Sequence, residues 1–150
     1  MPARDISYFT SEQFIWDDLI KDVERTEKRV YKSWAEDNNV GNFAITWPSE
    51  KIQSDDGLPI TRMVLMDLPD DRTTWSKKLQ NMVVRTKAYA LLLVEQKTEE
   101  AVLILESHHG TRSWHYPIER HGPDRVLGKP IIKSDTDCIG LLWQPSMASN

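Results

Sequence analysis

Two unbroken apolar runs, Ala88 to Val94 and Ala101 to Leu105, constrain the fold most. Leu91-Leu92-Leu93-Val94 and Val102-Leu103-Ile104-Leu105 do not alternate with polar residues, so strands built from them are covered on both faces. A five-residue connection, Gln96 to Glu100, joins them, which is short enough for an antiparallel hairpin. The expectation is a mainly antiparallel central sheet with these two strands adjacent at its middle, in an α+β fold.

The flanking segments supply the rest. Thr10-Ser11-Glu12-Gln13 has a capping-box pattern with Phe9 and Phe14 placed as a hydrophobic staple. Trp16, Leu19, Ile20, Val23, Val30 and Trp34 follow on one helical face, interrupted by Thr26 and Glu27, so a long helix on two core patches is predicted, ending near Asp37. Asn42 to Trp47 and Ile60 to Met66 read as strands, with a polar loop over residues 48–59 between them. A second helix, packed on the sheet, is expected from about Thr73 to Lys87, its buried face marked by Trp75, Leu79, Met82, Val83 and Thr86. After a turn at Gly122-Pro123-Asp124, short strands are expected at Val126-Leu127 and Ile131-Ile132, and a last one from Cys138 to Trp143. With no internal repeat or linker, residues 1–150 read as a single domain, with 1–9 and 144–150 as flexible tails. Most of the six tryptophans belong to the core, because tryptophan is highly buried on average.

Composition excludes several functions. A net charge of −4 argues against general nucleic-acid binding and is too mild for a DNA mimic. One cysteine, Cys138, allows neither an internal disulfide nor a cysteine-based zinc site within one chain. No run approaches the roughly 18 apolar residues of a membrane span, and the N-terminus lacks the apolar stretch of a signal peptide. These features predict a cytoplasmic protein with no membrane partner.

All four histidines fall between His108 and His121. Histidine titrates near neutral pH and is the commonest metal ligand, so this stretch is where chemistry would sit. If Gly110-Thr111 forms a two-residue turn, His109 pairs with Arg112, His108 with Ser113, and Glu106 with His115. Glu106, His108, Ser113 and His115 then share one face. A carboxylate beside an imidazole orients a general base, making Glu106, His108 and His115 the candidate catalytic residues, and the candidate ligands should a metal be held. A three-residue loop would set Trp114 opposite Glu106 and dissolve the patch.

From Ser107 to Lys133, five basic residues face two acids, +3 in a chain of net −4, so the remainder carries −7. A basic segment on an acidic protein is a candidate anion site, with Arg112, Arg120, His121 and Arg125 as its contacts, since the guanidinium fork suits phosphate and carboxylate. No cofactor is implied. The deaminase pattern needs more cysteines, and H-E-x-x-H, G-x-S-x-G and the phosphate-binding G-x-x-x-x-G-K are missing. Two classes therefore stand: a domain that binds or processes an anionic ligand, and a non-enzymatic, self-associating interaction protein. The first predicts converging imidazoles and the second dispersed ones.

Overall fold

The computed structural model describes residues 12–49, 52–53, 59–60 and 63–143. They form two compact units that divide between Asn39 and Val40. The first contains helix α1, Glu12–Asp37. Leu19, Val23, Thr26, Val30 and Trp34, spaced by three and four, are buried. The polar interruption does not split this stripe, because the Thr26 hydroxyl donates back to the Asp22 carbonyl at 3.2 Å. The helix stops as expected: Asn38 adopts a left-handed φ of 52°, and its N–H bonds to the Trp34 carbonyl. The capping box at Thr10 and the staple partner Phe9 lie outside the described residues, and so does the Phe14 side chain. Neither described helix is long and apolar enough to cross a membrane.

The second unit is an antiparallel sheet with one helix packed on it. Its strands are β1 (Phe43–Pro48), β4 (Val64–Asp67), β5 (Ala88–Gln96), β6 (Glu100–Ser107), β7 (Gly110–His121), β8 (Asp124–Leu127) and β9 (Ile131–Ser134). Two short strands, β2 (Ile52–Gln53) in the segment expected to be loop and β3 (Pro59–Ile60) where that loop meets the expected strand, pair separately. The main order is β4-β1-β5-β6-β7, and the outer edge of β7 is shared by β9 along Arg112–His115 and β8 along Ile118–His121. The two apolar runs are the adjacent central pair β5 and β6, with Leu92 opposite Leu105 and Val94 opposite Leu103. All four of these side chains are fully buried. The fold is α+β, as predicted.

Helix α2, Trp75–Thr86, follows a 3-10 turn at Arg72–Thr74 that Asp71 caps through the Thr73 N–H at 3.0 Å. Trp75, Leu79 and Met82 pack with Ala44, Leu68, Leu91, Leu93 and Leu142 in one cluster. Register carries this α2 face across the sheet through Glu106, Ile104, Val102 and Glu100 on β6, then Thr111, Ser113 and His115 on β7. The opposite face is lined by buried Ile45, Trp47, Leu92, Leu103, Leu105, Trp114 and Tyr116.

The stretch from Asp135 to Trp143 corrects the sequence reading. It is irregular and not a last strand. A strand turns successive amides to opposite sides, whereas here four consecutive amides turn to one side chain. Gly140, at a φ of 88°, supplies the backbone conformation this needs. We call this stretch the strap.

Candidate functional site

The β6–β7 hairpin does not turn where its glycine suggests. His108 and His109 form the turn, Ser107 pairs with Gly110, and Glu106 pairs with Thr111. The predicted pairing of Glu106 with His115 is therefore displaced by four residues, and His115 lies opposite Val102. At about 3.3 Å per residue, His115 is roughly 13 Å along the strand from the position facing Glu106. The displacement is even, so Glu106, Ser113 and His115 still share one face, while His108 leaves it for the exposed turn. The physical reason lies at Gly110. Its φ is 154°, and a β-carbon there would sit 2.9 Å from Asp135 Oδ1. The glycine permits close approach of the strap and does not form the turn.

Glu106 is fully buried. Its Oε1 accepts the N–H groups of Ile139 and Gly140 at 2.7 and 2.9 Å, and its Oε2 those of Leu141 and Leu142 at 3.0 and 2.9 Å. All its acceptor capacity faces the strap. As a general base it would have neither access nor a spare lone pair directed at a substrate.

His115 sits at the other end of the strip, between two carboxylates the sequence reading did not include. Its Nδ1 lies 3.1 Å from Glu100 Oε1, and its Nε2 lies 2.8 Å from Asp137 Oδ2. Both contacts are hydrogen bonds only when both ring nitrogens carry protons. The Ser113 hydroxyl donates to the same Asp137 oxygen at 2.7 Å and stands 3.2 Å from His115 Nε2. Hydrogen bonds from Ser113 and then His115 hold the Asp137 carboxyl below the usual carboxylate range. Burial, followed by the charges of Glu106 and Asp137, pushes the neighbouring Cys138 thiol up.

An acid, an imidazole and a hydroxyl in this order resemble the parts of a nucleophilic triad. The connectivity differs in one decisive respect: the serine proton is directed to Asp137, and Asp137 occupies the nitrogen that would receive it. Ser113 is also only 1% exposed. The cluster fastens the strap to β7, together with the Thr111 N–H to Asp135 Oδ1 at 3.0 Å and the Asp135 N–H to the Thr111 carbonyl at 2.8 Å.

The remaining candidates are dispersed. His109 is exposed beside His108 in the turn. His121 is exposed and paired with Glu119 at 3.1 Å. Arg112 lies on the face opposite Glu106, between Leu105 and Ser134. Arg120 and Arg125 are brought together as direct partners across β7 and β8, both exposed and both on one face of that hairpin. Glu119, His121, Asp124 and Val126 occupy its other face. Among the described residues, no three histidine, cysteine or acidic side chains are grouped to hold a metal ion, so Glu106, His108 and His115 do not form a joint ligand set.

Glu100 and Asp137 carried no local signal. Asp137 is 22 residues from His115 in sequence and meets it only because the strap folds back. Compared with family models, with curated proteins and with solved structures, the chain matches none of them.

Proposed function

We propose that this chain is a binding protein for an anionic ligand, with Arg120 and Arg125 as its contact, and that it performs no proton-transfer chemistry at the histidine segment. The observation that carries the reading is the cross-strand arginine pair. Like charges directly opposite on adjacent strands cost stability. Two exposed guanidinium groups on one face, with the acids of the hairpin on the other, regain that cost when a phosphate or carboxylate lies between them. The polar groups suited to acid–base work are the ones engaged with the strap, which supports binding over processing.

The test is a titration of the 15N-labelled full chain with inorganic pyrophosphate, followed by NMR. The expected result is salt-sensitive shifts at the Arg120 and Arg125 amides and side-chain Nε–H groups, abolished in Arg120→Ala/Arg125→Ala. Shifts centred on His115 and Ser113, or an unchanged response in the double variant, would overturn the reading.

A further inference from the structure

Resting on that anion-binding reading, we propose that the outer edge formed by β8 and β9 takes up one extended acidic–apolar peptide segment as an added strand. Residues 124–134 run along the outer edge of β7, first as β8 and then as β9, and among the described residues no strand pairs beyond them. Such an edge presents backbone donors and acceptors for a further strand.

Register identifies the outward groups. The Asp135 N–H bonds to the Thr111 carbonyl, so the backbone of Thr111 turns toward the β9 side. By alternation Ser113 and His115 do the same, and their partners Lys133 and Ile131 turn inward to meet them. Ile132, between these two, therefore turns its N–H and C=O outward.

The side chains select the occupant. From Asp124 to Ser134 there are three basic residues, Arg125, Lys129 and Lys133, against one acid, Asp124, at the start of β8. All three are exposed. Val126, Ile131 and Ile132 lie among them, 41%, 61% and 57% exposed. An incoming strand that alternates acidic and apolar residues matches this rim in charge and in hydrophobicity. A second copy of the same edge does not, because pairing two such rims sets positive charge against positive charge. The opposite edge, β4, exposes Val64 and Leu65 but continues into Asp67, Asp70 and Asp71, so it lacks the charge that would choose an acidic strand.

The experiment uses fluorescence anisotropy with the full chain and a labelled, end-capped peptide of eight alternating Glu and Val residues. A peptide with Lys in place of Glu is the control. The expected result is binding of the Glu peptide that weakens with salt, no binding of the Lys peptide, and amide shifts at Ile132 and Ser134. Ile132→Pro removes the outward N–H while leaving the inward pairs of Ile131 and Lys133 intact, and should weaken binding at least tenfold with an unchanged melting temperature. Lys129→Glu/Lys133→Glu, which leaves the backbone alone, should transfer preference to the Lys peptide. Equal binding of both peptides, or full binding by Ile132→Pro, overturns the proposal. If pyrophosphate still shifts Arg120 and Arg125 but the Glu peptide does not bind, the edge assignment falls and the anion reading stands. If neither ligand binds, both fall. If the chain alone self-associates in sedimentation and Ile132→Pro abolishes it, the occupant is a second copy and the proposal is overturned.

Discussion

The polar strip on the α2 face of β6 and β7 and the basic rim of β8 and β9 draw on the same stretch of sequence, and they differ in where their polar groups are directed. In the strip, Glu106 and Ser113 bond to the strap, and His115 is held between the strap's Asp137 and Glu100 of β6. On the rim, Arg120, Arg125, Lys129 and Lys133 are exposed to solvent. Residue type assigns acid–base chemistry to the first and anion contacts to the second. Hydrogen-bond geometry separates the two: a carboxylate with four internal donors holds structure together, whereas the arginine pair stands exposed at the surface.

The comparison breaks most readily at Glu106. Glu106→Ala leaves four strap amides without their acceptor, and urea unfolding should report a loss of about 3–5 kcal/mol. A loss below about 1 kcal/mol would mean that the strip is not structural. Gly110→Ala is expected next, at roughly 1–3 kcal/mol, because alanine is strained at that backbone angle and its β-carbon meets Asp135. An unchanged unfolding midpoint would show that the strap does not approach β7 so closely.

Asp137→Asn should have a smaller effect, with a defined pH signature. Because the folded carboxyl titrates below its ordinary value, its contribution is fully present above about pH 4. It is lost as pH falls through the lowered folded value. The wild type should therefore shed stability over that acid range more steeply than Asp137→Asn, by less than about 1 kcal/mol given the partial exposure of the pair. Parallel acid limbs would contradict the assignment. The smallest effect belongs to the rim: Arg120→Ala/Arg125→Ala should change stability by no more than about 0.5 kcal/mol while abolishing the pyrophosphate response. A large destabilisation there would make the rim a second structural strip.

The central hairpin was legible because doubly covered strands carry unbroken apolar runs, a signal independent of partners distant in sequence. The end of α1 was legible from Asn38, and the buried face of α2 from Trp75, Leu79 and Met82. The hairpin register was not. Gly110 serves as a contact surface for Asp135, and a glycine retained for close approach reads in sequence like one retained for a turn. The predicted face survived only because the displacement was even. Glu100 and Asp137 were missed for different reasons: Glu100 meets His115 diagonally across the hairpin only in the shifted register, and Asp137 arrives through the fold-back of the strap, which no periodicity records. The expected strand from Cys138 to Trp143 failed because apolar spacing does not reveal that one distant carboxylate collects the backbone donors of Ile139 to Leu142.

That collection has a kinetic consequence. The amides of Ile139, Gly140, Leu141 and Leu142 belong to neither a helix nor a ladder, so assignment of secondary structure would place them among the fastest to exchange with solvent. Each is closed by the same acceptor, and that acceptor is itself fully buried. When the carboxylate lets go, all four lose their acceptor at once. In deuterium exchange these four irregular residues should behave as one protected unit, with the slowness of the central strands, in a stretch whose conformation alone would suggest the opposite.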